Sequence, residues 1–97
     1  MTDSLDYLGQ RFHSCWHFAL EFYGVKDTQD FLPISDPQDG DYFLVNRAGR
    51  VYHCGIVHEG GYLHQMSPQQ GVVYTRESFP DVSYYRAPAA VRHGPDQ

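Results

Sequence analysis

The chain has 97 residues, of which 41% are hydrophobic and 15% aromatic, so it can build one hydrophobic core but not two. Its formal net charge is −5 and its seven basic residues are scattered along the sequence, which argues against a nucleic-acid partner. No apolar run approaches the roughly 20 residues of a membrane helix and the N-terminus lacks the pattern of a signal peptide, so we expect a single domain made in the cytoplasm, without membrane insertion.

The first clear element in chain order is a helix. The run Cys15–Tyr23 is apolar and aromatic with a helical period, which predicts a helix buried on a broad side. Ser14 stands where an N-cap residue belongs, and Gly24 is expected to end the helix. Cys15 would therefore lie at the positive end of the helix dipole. Residues 3–13 are expected to form a lead-in helix or loop.

A surface connection and then a series of strands are predicted after the helix. Residues 26–39 are rich in Asp, Gln and Pro, and Pro33 and Pro37 exclude a regular helix there. Alternating apolar residues between glycine-containing turns then predict an antiparallel meander. Its strands are expected at residues 42–46, 51–58 and 62–66, and a short strand at 72–75 and a last strand at 82–86 are expected to follow it. A helix followed by a sheet indicates an α+β domain, with its core at residues 7–86 and a flexible tail at residues 87–97.

Cys15 is the candidate nucleophile. A thiol has a reference pKa of about 8.5, and this value falls at a helix N-terminus beside an imidazolium. The meander offers His53, His58 and His64 as sources of that imidazole. Strand alternation puts His53 and His58 on opposite faces, whereas pairing about the next turn brings His64 near His53. Gly55 is expected to leave open space on the His53 face for a helix end or a substrate backbone.

These residues resemble a known family. The segment His53-Cys54-Gly55-Ile56-Val57, followed by Gly60-Gly61-Tyr62-Leu63-His64, resembles the His-Val-Gly-Ile-Tyr, turn, Phe-Leu-His pattern of NlpC-type cysteine peptidases. Gly40-Asp41 resembles the Gly-Asp that opens the first core strand of that family. Cys15-Trp16 is similar to a Cys-Trp variant of the family's branch of tail tip assembly proteins from long-tailed bacteriophages. These similarities lie in the same order along both sequences.

The ending of the chain extends the resemblance. Tyr84-Tyr85-Arg86, followed by Val91-Arg92-His93, is similar to the ending of the tail tip proteins. The resemblance spans residues 7–93 and implies a minimal papain-like NlpC domain. In that domain, Cys15 would be the nucleophile, His53 the general base and then the acid, and His64 the residue that orients His53.

The resemblance also implies a function. The reaction would be hydrolysis of an amide bond in a peptidoglycan stem peptide through a thioester, without a cofactor or a metal. The protein would be assembled with other tail tip proteins in the host cytoplasm, be carried on the virion tail tip and act on the cell wall in the periplasm. This activity would help the phage to penetrate the host wall.

Four residues are predicted to bind the substrate, namely Tyr7, Ser14, Trp16 and Gly55. Tyr7 matches a tyrosine that lines the substrate groove of relatives. Ser14 replaces the Asp that precedes the nucleophile in the family and recognises the amino end of the substrate, so peptide specificity is expected to differ. The connection from the nucleophile to the base is short for the family, so we expect a shallow groove or one completed by another chain.

Other functions remain open at this stage. A structural or assembly module of the tail tip could keep the fold and the triad residues without hydrolysing anything. A host housekeeping hydrolase is disfavoured because an export signal is missing. Cys15, His53 and His64 could instead form a soft metal site, but their spacing lacks the close ligand pairs of structural zinc sites.

The remaining cysteine and histidines receive structural interpretations. These are a core-facing thiol for Cys54, a solvent-side position for His58, and surface or helix-flank positions for His13, His17 and His93. Alternation also predicts that the side chains of Tyr84 and Tyr85 point to opposite faces of their strand.

Overall fold

The fold is a single α-helix packed on an antiparallel sheet. This computed structural model describes residues 4–89, and in that range the sheet has six strands in the order β1-β6-β2-β3-β4-β5. All five strand pairings are antiparallel. In chain order the elements are a 3₁₀ helix (Ser4–Tyr7), α1 (Cys15–Tyr23), β1 (Leu32–Ile34), β2 (Tyr42–Arg47), β3 (Arg50–His58), β4 (Gly61–Gln65), β5 (Val72–Thr75) and β6 (Val82–Arg86). The predicted α+β class is confirmed at this level.

Helix α1 begins and ends at the predicted residues. Ser14 is extended, and its Oγ accepts a hydrogen bond from the N–H of His17 at 3.2 Å, as an N-cap does. Gly24 is left-handed with φ 70°, and its N–H donates to the carbonyls of Leu20 and Glu21. Cys15 is consequently the first residue of the helix, where unpaired amides and the dipole favour negative charge.

The sheet separates two apolar clusters. The cluster on the helix side includes Phe18, Ala19, Phe22, Tyr42, Cys54, Ile56, Leu63 and Val72. The opposite cluster is built on Phe43, Val45 and Val57, with Tyr62, Phe79, Val82 and Tyr84 packed around them. Tyr84 contacts this second cluster and Tyr85 the first, which confirms the predicted split. Burial of large side chains such as Phe18, which is fully buried, contributes about 2–3 kcal/mol each and fixes α1 on the sheet.

Strand β1 was not predicted, because its segment was expected to be a surface connection. It pairs with β6, with Pro33 opposite Tyr85, at one edge of the sheet. Proline cannot donate a ladder hydrogen bond and is therefore found on edge strands. The prolines of this segment exclude a helix but are compatible with a short outer strand.

A partly buried ion pair joins the residue before β2 to the end of β6. Asp41, which is 4% exposed, accepts hydrogen bonds from Arg86 Nε at 3.0 Å and Arg86 Nη2 at 2.8 Å. Its Oδ2 also accepts the backbone N–H of Gln38 at 2.7 Å. Ala87 directly follows Arg86 in the sequence and is the first residue of the expected tail. Its side chain is buried. Residues 90–97, including the Val91-Arg92-His93 motif, lie outside the described residues.

The lead-in segment is held against the sheet by a buried glutamine. Gln65 Oε1 accepts the N–H of Phe12 at 2.8 Å, and Gln65 Nε2 donates to the carbonyl of Phe12 at 2.7 Å. Nearer the N-terminus, Val72 exchanges backbone hydrogen bonds with Gly9 and Gln10, each of 2.9 Å. These contacts set where the chain enters α1, and hence the position of Cys15. Within residues 4–89, no helix has both the length and the apolar character needed to cross a membrane.

Candidate active site

A groove of about 250 Å³ opens at the N-terminus of α1. Cys15 and His53 both line it, so the candidate nucleophile and the candidate base face one space although they come from the helix and from β3. His13, Ser14 and residues 65–68 form much of the remaining wall. A smaller cavity of about 140 Å³, between residues 37–39 and 60–62, contains none of the predicted catalytic residues.

The two predicted histidines are hydrogen-bonded to each other. His53 Nε2 lies 2.6 Å from His64 Nδ1, and His64 Nε2 lies 2.8 Å from Thr75 Oγ1. His64 is fully buried, and this burial, followed by repulsion from charge on His53, lowers its pKa to about 4. His64 is therefore neutral near pH 7 and carries one ring proton.

One assignment of protons satisfies every group in this series. His53 Nε2–H donates to His64 Nδ1, and His64 Nε2–H donates to the hydroxyl of Thr75. His53 Nδ1 is then the nitrogen left to interact with Cys15. His64 thus accepts a hydrogen bond from His53 while remaining neutral itself, and this role matches the orienting residue of an activated nucleophile.

Cys15 is held in its anionic form. A hydrogen bond from the Cys54 thiol, together with a hydrogen bond and positive charge from His53, keeps the pKa of Cys15 well below its usual range, although partial burial opposes them. The same hydrogen bond to Cys15, reinforced by burial, raises the pKa of Cys54. Cys15 is therefore the thiolate of the pair and Cys54 the protonated donor. The helix N-terminus favours the same distribution of charge.

A β-bulge lies directly before His53. Val45 pairs with His53 but Asn46 pairs with Val51, which leaves Tyr52 as an extra residue in β3. Bulges bend a strand locally and re-aim its side chains, and they occur often beside active sites. Tyr52 and His53 both line the groove as a result.

Comparison of the chain with protein-family models, curated proteins and solved structures finds no match in any of the three. Between residues 4 and 89, no group of three or more His, Cys, Asp or Glu side chains is arranged to hold a metal ion. What the groove does present is a thiolate, an imidazole beside it, and a neutral second imidazole behind the first.

Gly55 does not leave the open space that was expected. A Cβ built on Gly55 would lie 2.7 Å from Phe43 Cε2 and 2.8 Å from His64 Cβ, and closer still to the carbonyl oxygen of Leu63. The space is filled by the packing of β3 against β4, so the prediction of room for a substrate is wrong. The glycine instead allows the strand that carries His64 to approach the strand that carries His53.

The other predicted substrate residues occupy different positions. Ser14 lines the groove, but its hydroxyl is engaged by His17, whose Nδ1 lies 2.7 Å away. Tyr7 packs in an aromatic cluster, with ring centroids 5.6 Å from those of Phe18 and Phe22, and is not part of the groove wall. Trp16 is 41% exposed on α1, also away from that wall. Of the four residues predicted to bind the substrate, Ser14 is thus the one that lines the groove.

His58 differs from its expected solvent-side position. Its side chain is only 12% exposed, its ring lies against Tyr74, and its Nε2 is 2.9 Å from Glu59 Oε2. His13 and His17 are exposed, as expected, with ring centroids 5.0 Å apart.

Sequence reasoning missed three contributors to the site: Thr75, Gln65 and the contact of Cys54 with Cys15. Thr75 and Gln65 act across strand or lead-in pairings that no local pattern specifies. Cys54 is core-facing as predicted, with 2% exposure, but its thiol is also the largest influence on the pKa of Cys15. Its position next to His53 in sequence was the signal that could have indicated this.

Proposed function

We propose that this chain is a cysteine hydrolase that cleaves an amide bond through a thioester on Cys15. The observation that carries the proposal is the unbroken series from Thr75 through His64 and His53 to Cys15, which ends in an open groove. A series in which the nucleophile is activated by a base, and the base is oriented by a third group, is the general arrangement of nucleophilic catalysis.

In the acylation step the Cys15 thiolate attacks the carbonyl carbon of the scissile amide. Backbone N–H groups at the start of α1 are suited to stabilise the oxyanion, since helix N-termini bind anions. His53, protonated at Nδ1, then gives that proton to the departing amine as the C–N bond breaks. His64 keeps the ring of His53 in place by accepting a hydrogen bond from the Nε2–H of His53.

In the deacylation step a water molecule replaces the amine. Neutral His53 removes a proton from this water through Nδ1, and the resulting hydroxide attacks the thioester carbonyl. Collapse of the second tetrahedral intermediate releases a carboxylic acid and restores the Cys15 thiolate. The proton returns the imidazole to its cationic state, so the enzyme ends in the state in which it began.

The sequence resemblance supports a specific substrate and setting. The NlpC-like motifs favour a peptidoglycan stem peptide as the substrate, and the resemblance to tail tip proteins favours a role in opening the host cell wall from a phage tail. The engaged hydroxyl of Ser14 supports a different recognition of the substrate's amino end, because no carboxylate occupies that position. The competing proposal is a structural tail tip module that retains the same residues.

A hydrolysis assay distinguishes these two functions. The purified chain is expected to release soluble peptides from diaminopimelate-type peptidoglycan, and Cys15→Ala should abolish this release. His53→Ala should reduce it by at least about a hundredfold, the size of a general acid–base contribution. His58→Ala is the matched control, since His58 lies on the same strand outside the series. Absence of release from the wild-type chain, with neighbouring tail proteins supplied, would leave the structural role.

A further inference from the structure

The two cysteines of the chain lie together although they belong to different elements. Cys54 belongs to the buried cluster between β3 and α1, and Cys15 packs against that cluster from the start of the helix. Each thiol is the largest influence on the pKa of the other, and both are free. Only Cys15 also lines the groove, so a small oxidant in solution meets Cys15 first.

We propose that Cys15 and Cys54 form a peroxide-sensitive dithiol, in which Cys54 captures oxidised Cys15 as an intramolecular disulfide. The reagent class is a small hydroperoxide, with hydrogen peroxide as the simplest member. The product would block the nucleophile reversibly and protect it from irreversible oxidation.

The first step oxidises Cys15 alone. Its thiolate attacks one oxygen of hydrogen peroxide, the O–O bond breaks, and the leaving hydroxide takes a proton from His53 to become water. Cys15 is then a sulfenic acid. This step needs an accessible thiolate, and the groove position and anionic form of Cys15 meet both conditions.

The second step forms the disulfide. The sulfur of Cys54 attacks the sulfur of Cys15, the S–O bond breaks, and the released hydroxide takes the Cys54 proton to form a second water. Overall the dithiol loses two electrons and peroxide gains them. Cys54 becomes a better nucleophile at this stage, because the thiolate charge that raises its pKa no longer exists once Cys15 is oxidised.

Burial explains why the order of the steps is fixed. Cys54 is 2% exposed and protonated beside the thiolate, so it reacts with peroxide slowly on its own. It nevertheless belongs to the cluster against which Cys15, the residue it must attack, is packed. A disulfide needs Cα atoms within about 7 Å, and the formation of a linked peptide pair tests whether Cys15 and Cys54 reach this geometry.

Peptide mapping after mild oxidation tests the proposal without any assay of hydrolysis. The folded wild-type chain is treated with a small excess of hydrogen peroxide, denatured, alkylated and digested. The expected result is a peptide pair linked through Cys15 and Cys54, a mass loss of two hydrogen atoms, and full recovery of both thiols with dithiothreitol. Wild-type chain with sulfinic acid at Cys15 and a fully alkylated Cys54 would overturn the proposal, as would a disulfide between two chains.

Two variants separate the steps. In Cys54→Val, chosen because valine stands at this position in the NlpC-type pattern, Cys15 should react with a sulfenic acid probe and then proceed to sulfinic acid that dithiothreitol does not reverse. In Cys15→Ala, Cys54 should remain reduced over the same time. Oxidation of Cys54 at an unchanged rate in this second variant would show that it does not depend on Cys15, and would refute the proposed sequence.

Discussion

Gly55→Ala adds one methyl group at a position in β3 where residues of β2 and β4 leave no room for it. The added Cβ would meet Phe43, the Cβ of His64 and the carbonyl oxygen of Leu63, the first two at 2.7 and 2.8 Å. A ring can rotate, but a backbone carbonyl of the paired strand cannot, so the two strands must separate. Overpacking costs about 1–3 kcal/mol, and we expect the upper end of this range here. For a domain of this size each kcal/mol lowers Tm by roughly 4–8 °C, so Tm should fall by at least about 10 °C.

The same change should impair catalysis in chains that remain folded. Separation of the strands would lengthen the 2.6 Å contact between His53 and His64, and the base would lose its orientation. Gly60→Ala is a suitable control, because nothing lies within 4 Å of its added Cβ and its φ of +76° imposes only left-handed strain. That strain costs about 1–2 kcal/mol and leaves the histidine pair intact.

Urea unfolding followed by circular dichroism measures both variants. Gly55→Ala should lower the midpoint more than Gly60→Ala with an unchanged m value, since the loss lies in native stability. Hydrolysis measured well below each midpoint should fall in the first variant and persist in the second. Equal midpoints for the two variants, or full activity in Gly55→Ala, would refute the packing argument.

Three further predictions concern the ionisation of Cys15 and His64 and the hydrogen bond between His64 and Thr75. Cys15 should alkylate with iodoacetamide faster than Cys54, and its rate should stay high as the pH falls from 8 to 6, because its lowered pKa keeps it ionised. The pKa of His64 is lowered from 6.5 to about 4, so the unfolded chain binds more protons between these values, and stability should fall as the pH decreases through this window. His64→Gln should flatten that dependence in urea titrations. Thr75→Val should leave a buried donor of His64 unpaired, which costs about 1–3 kcal/mol, and should lower kcat more than it raises KM.

Each of these predictions has an outcome that would contradict it. Equal, slow alkylation at both thiols would mean that Cys15 is not a thiolate. A stability profile of His64→Gln that matches the wild type would place the titrating group elsewhere. Thr75→Val with unchanged kcat would show that the hydrogen bond to Thr75 does not help to orient the histidines, and Thr75→Ser should rescue activity if it does.

Local signals were enough to predict the helix and most of the sheet. Ser14 and Gly24 specify the ends of α1 through their own backbone and side-chain chemistry, without help from distant residues. The strands follow from alternation and from glycine-containing turns, and the face assignments of His53 and His58 follow from the same period. The shared groove of Cys15 and His53 could be expected because the motifs occur in the right order.

The missed features depend on how strands pair across the fold. Strand β1 forms because its backbone pairs with that of β6. The proline in β1 gave no indication of this pairing, because proline is disfavoured in strands. The bulge at Tyr52 arises from a register shift between β2 and β3. The residues of either strand alone do not specify such a shift. The open space assigned to Gly55 was wrong for a similar reason, since what fills it comes from β2 and β4.

Cys15 and His53 belong to separate parts of the fold, so heat is expected to act on them differently. Cys15 moves with α1, whose entry is held by the hydrogen bonds of Gln65 to the lead-in segment, whereas His53 moves with the sheet. Local opening that frees the helix end would therefore separate Cys15 from His53 while the strands remain paired. Hydrolysis should be lost at a lower temperature than the β-sheet signal, so enzymatic activity would serve as a sensitive measure of helix docking.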